Sequence, residues 1–148
     1  MENINEFRSF NVILTSDSNK NIFPNNTASN FSVLLPENLP EFPMKVALTD
    51  IILPKLSDEF KEDIQEIYVL TNITQPIFVN ELQKKVLRLI YCDKTGKVLN
   101  RLNHLIFIPL RMSDIDVINI QLIDKNFEEI KNFTHGTTVV SLLFKRSE

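Results

Sequence analysis

The side chains that could do chemistry are few, and they match no known catalytic pattern. The two histidines, His104 and His135, are far apart in the chain. Because a metal site needs several His, Cys, Asp or Glu residues at ligand spacing, we interpret both as solvated or structural. The single cysteine, Cys92, ends an apolar stretch beside Tyr91. Because Cys92 lies in or just after an apolar strand, we predict a buried or half-buried thiol. A catalytic nucleophile also needs a base and an orienting group, and the sequence indicates neither for Cys92.

The charged clusters are also weak candidates for a site. An acidic cluster does not have the spacing of the EF-hand calcium loop, so we interpret it as a solvated face. The densest basic run is interpreted as a solvated loop. The chain has only two glycines, too few for a glycine-rich phosphate loop. We therefore predict no enzyme activity, no cofactor and no metal. The acidic cluster consists of Asp58, Glu59, Glu62, Asp63 and Glu66, and the basic run of Lys84, Lys85 and Arg88.

Charge argues against a nucleic-acid partner. The chain has 148 residues, with 16 basic and 19 acidic side chains and a formal net charge of −3. Binding to a phosphate backbone needs a basic surface. The basic tip formed by Lys145 and Arg146 is too small to provide one. We predict no specific nucleic-acid binding.

Cysteine content and hydropathy bear on the compartment. One cysteine excludes an intrachain disulfide, which favours a reducing compartment. The acidic, polar start of the chain is not typical of a signal peptide. No apolar run approaches the roughly 20 residues that span a bilayer. We expect a protein made in the cell interior, with one domain over residues 1–148 and an N-terminal arm over residues 1–8.

Eight short segments have the composition and alternation of β-strands. Polar or proline-marked connections join them. One piece, Ser57–Asp63, looks helical but is too short to be stable alone and is also compatible with a turn. The predicted strands are Ser9–Thr15, Phe31–Leu35, Met44–Leu53, Glu66–Thr71, Val86–Cys92, His104–Leu110, Ile115–Ile123 and Thr137–Lys145.

Single residues refine this pattern. The alternation of the third strand changes phase near Asp50, which predicts a bulge or a corner. Pro109 predicts an edge strand or a strand end, because proline donates no ladder hydrogen bond. Gly96 and Gly136 stand where turns favour positive φ. In the long polar connection after the first strand, Phe23-Pro24 is predicted to pin the loop to the core.

Strand count and long connections together favour one architecture. An up-and-down barrel joins neighbouring strands tightly, whereas these connections suit crossovers between two sheets. We predict an all-β fold, an eight-stranded single jelly-roll β-sandwich of two antiparallel sheets. The alternative, an immunoglobulin-like sandwich, lacks its Cys…Trp…Cys hallmark. In the jelly roll, Ile115–Ile123 and Thr137–Lys145 lie in opposite sheets, and the loop between them is a crossover.

The first half of the chain also carries a family pattern. A strand is followed by an S-x-x-x-x-F-P-x-N-T-like element, then by F-x-x-x-L and by a strand of the W-E-V-A-L-x-E-I-x-x-P kind. Met44 replaces the usual tryptophan. The matching positions are Phe10 and Val12 in the first strand, then Ser18, Ile22–Thr27, Phe31–Leu35 and Met44–Pro54.

The second half continues the pattern in the same order. The middle is similar to Y-V-Y-x-D-I…V-G…L-L-R, with Asn72 and Asn80 departing from it. The end is similar to I-x-I-x-I-x-D…F-x-x-G-x-x-x-V-x-L-x-F-R. The matching positions are Tyr68–Ile73, Ile77–Asn80 and Val86–Arg88, then Ile118, Ile120, Leu122, Asp124, Phe133, Gly136, Val140, Leu142, Phe144 and Arg146.

Along nearly its whole length the chain thus resembles the penton, or minor capsid, proteins of Polinton/Maverick elements and adintoviruses. The resemblance implies a structural protein of the virion: a single jelly roll, homopentameric at icosahedral capsid vertices and surrounded there by a double-jelly-roll major capsid protein. The core and family-pattern positions that follow from both lines of reasoning are Phe10, Val12, Phe23, Pro24, Phe31, Val46, Leu48, Tyr68, Leu87, Ile118, Ile120, Gly136, Leu142 and Phe144.

A function of another class remains open at this point, a carbohydrate- or ligand-binding β-sandwich. Cupins of that kind need a His-rich metal motif, and many lectins stack sugars on exposed Trp or Tyr. The chain has no Trp and two Tyr but eleven Phe. Phenylalanine has no polar tip, so this composition favours a core or a protein interface over a sugar-binding platform.

Overall fold

The computed structural model describes residues 8–18, 21–40, 42–111 and 114–147, and within these ranges it is all-β. No helix there is long and apolar enough to cross a membrane. Residues 1–7 of the predicted arm lie outside the described ranges. The strands are β1 (Ser9–Thr15), β2 (Asn30–Leu34), β3 (Met44–Ile52), β4 (Ile64–Thr71), β5 (Ile77–Val79), β6 (Leu82–Lys84), β7 (Val86–Asp93), β8 (Ile108–Pro109), β9 (Val117–Ile123) and β10 (Val139–Arg146).

Eight of the ten strands form two antiparallel four-stranded sheets, and the prediction of two antiparallel sheets is confirmed. Sheet A has the order β1-β10-β3-β8 and sheet B the order β2-β9-β4-β7, while β5 and β6 form a separate hairpin. The pairs are nested: β4 pairs with β7, β3 with β8, β2 with β9 and β1 with β10. Every connection between successive strands of the two sheets, except the one from β4 to β7, moves to the other sheet.

One apolar core lies between the two sheets, an arrangement consistent with a β-sandwich. Period-two alternation places one face of each strand inward, and β1 faces β2 while β3 faces β7 across the core. The ring of Phe10 stacks on that of Phe144 at 5.1 Å between centroids. Of the predicted core positions, the buried ones are Phe31, Val46, Leu48, Leu87, Ile118, Ile120, Leu142 and Phe144, and the half-buried ones are Phe10, Val12, Phe23 and Tyr68.

Several local predictions are confirmed. The bounds of β1 are those predicted, and β9 and β10 lie in different sheets without pairing to each other. The register between β3 and β10 shifts so that Leu48 and Asp50 oppose consecutive residues of β10. Thr49, the extra residue, donates its hydroxyl to the Ser141 carbonyl at 3.0 Å. The predicted bulge therefore exists, and Pro109 occupies an edge strand.

Other predictions are wrong. The sixth strand, predicted as His104–Leu110, is reduced to Ile108–Pro109. The chain there is held instead by Arg88, which donates to the carbonyl oxygens of His104, at the start of that segment, and of Arg101, before it. For Ser57–Asp63, where a short helix and a turn were both left open, the structure has turns and bends. The β5–β6 hairpin was not predicted, because Asn80, with a φ of 55°, makes its turn without the glycine that marks such hairpins.

The two glycines play different parts from those expected. Gly96 has a φ of +85°, as predicted, and a Cβ there would lie 2.5 Å from the Pro54 carbonyl oxygen. Gly136 does not have a positive φ. A Cβ at Gly136 would lie 3.0 Å from the Cβ of Pro54, so close approach explains this glycine. Pro24 is exposed, which contradicts its prediction as part of a buried anchor. Gly136, expected at a turn and as a family-pattern position, is exposed as well.

Candidate interaction surfaces

The residues singled out for chemistry are scattered over the fold. His104 and His135 are exposed, while Cys92 is buried in β7. Burial, and next the charge of Asp93, raises the pKa of the Cys92 thiol to about 11. A thiol held protonated is a poor nucleophile. Within the described ranges no group of three or more His, Cys, Asp or Glu side chains could hold a metal ion.

The acidic cluster lines an open groove beside β4. Asp58, Glu59, Glu62 and Asp63 are exposed, and Lys125 lies 3.5 Å from a Glu62 carboxylate oxygen. That pair is well solvated and contributes little to stability. The interpretation as a solvated acidic face agrees with this geometry.

The basic run divides into three environments. Lys85 is exposed, and the ammonium of Lys84 lies 5.6 Å from the centre of the Phe127 ring. Arg88 is buried and donates to the carbonyl oxygens of His104 (2.8 Å) and Arg101 (3.3 Å). The prediction of a solvated loop is therefore wrong for Arg88, whose guanidinium ties the segment before β8 to the end of the sandwich.

The outer face of sheet B carries polar side chains that bond mainly to one another. The Asn119 amide donates to Asn30 Oδ1 at 3.1 Å and to Ser32 Oγ at 3.0 Å. Asn72 accepts from the Asn119 backbone amide at 2.8 Å. The ring of Tyr68 is stacked against that of Phe127. Because these groups already contact one another, few of them remain available to bind a ligand.

Sheet edges are a further class of site, because an edge strand presents unpaired N–H and C=O groups to any extended chain. The edge at β2 is closed by a side chain that makes the hydrogen bonds a neighbouring strand would make. Asn26 accepts from the Ser32 amide and donates to the Ser32 carbonyl, both at 2.9 Å. The amide and carbonyl of Asn30 bond with those of Thr27. No partner strand can displace these bonds without cost.

The edge at β7 is closed by the chain that follows it. The Tyr91 amide donates to Asn100 Oδ1 at 3.0 Å, and the Asn100 side chain donates to the Leu89 carbonyl at 3.1 Å. The Leu99 amide donates to the Tyr91 carbonyl at 2.8 Å. The segment around Asn100 thus takes the place of a fifth strand.

The edge at β8 is closed by the segment after β4. The Gln75 amide donates to the Pro109 carbonyl at 3.0 Å, and the Arg111 amide donates to the Ile73 carbonyl at 2.8 Å. Proline itself offers no amide at this edge. Three of the four edges are therefore protected.

The fourth edge, β1, is open among the residues that the structure describes. The amides of Arg146 and Ser16 donate to the carbonyls of Arg8 and Thr138. By the alternation of an antiparallel pair, Ser9, Asn11 and Ile13 direct their backbone groups away from β10. Within residues 8–18, 21–40, 42–111 and 114–147, these three have no hydrogen-bond partner on that side. The side chain of Ile13 is 67% exposed. We call Ser9–Ile13 the open edge.

A second surface with unsatisfied apolar groups is the β5–β6 hairpin. Phe78 is 74% exposed, the most exposed large apolar side chain among the described residues, and Ile77 and Leu82 are exposed beside it. Val79 pairs with Leu82 and Phe78 with Gln83. A two-stranded hairpin is marginally stable alone, and exposed apolar patches mark contact sites. We call Ile77–Leu82 the apolar hairpin.

Comparison with protein-family models, curated proteins and solved structures found no match to this chain. The fold and these two surfaces are therefore the features from which function is inferred.

The sequence carried a partial signal for both surfaces. Ile13 is the apolar exception on the otherwise polar face of β1, formed by Ser9, Asn11 and Thr15. Phe78 follows Pro76 in a connection without helical periodicity. That β1 is the one open edge among the described residues could not be predicted. The bonds that close the other edges come from side chains and loops that are distant in sequence or irregular in structure.

Proposed function

We propose that the protein is a structural vertex protein of an icosahedral virus-like capsid, a single jelly roll that assembles as a homopentamer. The fold supports this proposal through the nested pairing of the chain. The first four strands of the two sheets pair with the last four in reverse order. Rolling up one long antiparallel hairpin in this way produces the two Greek keys of a jelly roll.

The observation that carries the assembly is the contrast among the sheet edges. In a closed ring of five copies, one patch of each subunit meets a different patch of the next, which is a heterologous interface. The open edge and the apolar hairpin are two such different patches. A carbohydrate-binding sandwich has no evident use for an unprotected strand edge, whereas an assembling subunit does.

The charge balance agrees with a role among proteins. A net charge of −3 provides no general attraction to nucleic acid. The partners in this proposal are further copies of the chain and, around the vertex, a double-jelly-roll major capsid protein. Such a subunit would be made in the interior of the host cell and end in the virion, and its function would need neither cofactor nor catalysis.

The test is the mass of the full chain in solution together with electron microscopy, first alone and then mixed with the major capsid protein. We expect a five-membered ring in at least the mixed sample. Only monomers under both conditions would contradict the proposal. A glycan array would test the carbohydrate-binding alternative, and a specific sugar hit would favour it.

A further inference from the structure

We propose that the apolar hairpin of one copy adds to the open edge of the next, with β5 running antiparallel to β1 and Phe78 opposite Ile13. This inference rests on the proposed function and identifies the two patches of its ring. In this arrangement, a second copy of this chain occupies the open edge.

The backbone geometry of the two surfaces is complementary. Ile13 directs its amide and carbonyl outward from sheet A. In the hairpin, Val79 and Leu82 flank a two-residue turn, so the next pair, Phe78 and Gln83, directs its backbone groups outward. Phe78 and Gln83 have no hydrogen-bond partner for these groups within the described ranges. Placed side by side, Ile13 and Phe78 exchange two hydrogen bonds.

The side chains support the same pairing. Ile13 and Phe78 are the two most exposed large apolar side chains among the described residues, at 67% and 74%. Directly opposite residues of an antiparallel pair have Cβ atoms about 5 Å apart. One contact therefore covers both of these side chains, and an aromatic beside a β-branched residue is a favourable cross-strand pair.

Charge selects the antiparallel direction. The open edge begins beside Lys145, which pairs with Ser9, and β1 is followed by the exposed Asp17. The hairpin has Glu81 in its turn and the exposed Lys85 at its base. When β5 runs antiparallel to β1, the turn lies toward Lys145 and the base toward Asp17. Both ends then bring opposite charges together, whereas the parallel direction brings like charges together.

The positions of the two surfaces allow a ring. β1 and β2 lie on one side of the sandwich, and β7 and β8 on the other. The hairpin follows Gln75, which bonds to β8, and directly precedes β7. The open edge and the apolar hairpin therefore lie on different sides of the subunit, as a head-to-tail contact between copies requires.

Cysteine pairing between two differently substituted proteins tests this contact. One protein carries Ile13→Cys and the other Phe78→Cys; both positions are exposed, and the native Cys92 is buried. Under mild oxidation we expect disulfide-linked dimers in the mixture and none with either protein alone. Ile64→Cys, at an exposed position on neither surface, is the matched control and should link to neither protein.

A second pair of variants tests the strand addition itself. Ile13→Pro removes the outward amide that bonds to Phe78 of the next copy, and Phe78→Ser removes the apolar anchor. We expect each to weaken ring formation by about tenfold or more, while Ile64→Ser leaves it unchanged. Circular dichroism and the monomer mass show whether each variant remains folded.

The outcomes separate this inference from the proposed function. Rings that persist in Ile13→Pro and Phe78→Ser, or a mixture that does not cross-link although rings form, would overturn the inference and leave the vertex proposal standing. Cross-linking of Ile13→Cys with itself would show an isologous contact and would also overturn it. Absence of any ring, alone or with the major capsid protein, would overturn both.

Discussion

The edges at β1 and β7 are of similar length but differ in what covers them. On β7 the outward backbone groups of Leu89 and Tyr91 are bonded by Leu99 and Asn100. On β1 the outward groups of Ser9, Asn11 and Ile13 are bonded by nothing within the described ranges. The difference indicates that edge protection here is selective. Among the described residues, three edges are closed by specific side chains and loops and one is open, which is the basis of the assembly proposed above.

The largest effect expected is on the free energy of unfolding, and it depends on the direction in which each amide of β1 points. In Val12→Pro the amide that faces Leu142 of β10 is lost, and the partner carbonyl becomes unsatisfied within the sheet. We expect the free energy of unfolding to fall by about 2 kcal/mol or more. In Asn11→Pro the lost amide faces outward, so a fall of less than about 1 kcal/mol is expected. Urea unfolding of both variants measures the difference, and equal losses would contradict the assignment of the open edge.

Removal of the side chain that closes β2 should have the next largest effect. Asn26→Ala leaves the amide and carbonyl of Ser32 without partners and also removes the bond from Asn26 to the Ser18 carbonyl. We expect a loss of about 1–3 kcal/mol in urea unfolding. The matched control is Asn25→Ala at the neighbouring exposed position, which should change stability by less than about 0.5 kcal/mol. Similar values for the two variants would show that Asn26 does not protect the edge.

The corresponding change at β7 should be smaller, because the Asn100 contacts are closer to solvent and water can replace them. We expect Asn100→Ala to cost about 1 kcal/mol and to increase self-association by opening a second edge. Asn103→Ala, also exposed, is the control. Light scattering measures the self-association. If Asn100→Ala scattered no more than Asn103→Ala, side-chain protection of this edge would be refuted.

The smallest effect expected is a loss of stability at alkaline pH, which is caused by Cys92 in the protected strand β7. The pKa of Cys92 is raised by burial to about 11 from an ordinary value of 9.0. Because the unfolded chain releases this proton first, the contribution to stability is complete below pH 9.0 and is lost as pH rises toward about 11. We expect Cys92→Ala to lack this part of the decline when unfolding is measured at about pH 8 and about pH 10. Parallel declines in the two proteins would contradict the burial of the thiol.

The sequence was a good guide where one strand carried its own pattern. The alternation through Phe10, Val12 and Leu14 predicted β1 to the residue, and the phase change near Asp50 predicted the bulge of β3. Pro109 predicted an edge because its missing amide is a local property.

The sequence was a poor guide where partners come from distant segments. Arg88 looked like part of a basic run, yet its guanidinium bonds to carbonyls of His104 and Arg101 and shortens the sixth strand. Gly136 looked like a turn glycine, but a glycine suits this position because the nearby Pro54 ring leaves little room for a side chain. For the open edge, the only local signal is the apolar Ile13 on a polar face, because an edge is recognised as open only by comparison with three edges closed by tertiary contacts.

Residue-resolved hydrogen exchange of the monomer and of the assembled ring tests the central claim most directly. In the monomer, the amides of Ser9, Asn11 and Ile13 should exchange fast, while that of Tyr91 is protected by Asn100. In the ring, the amide of Ile13 should become protected together with that of Phe78, and Tyr91 should not change. Protection of Ile13 in the monomer, or its continued fast exchange in the ring, would contradict the account.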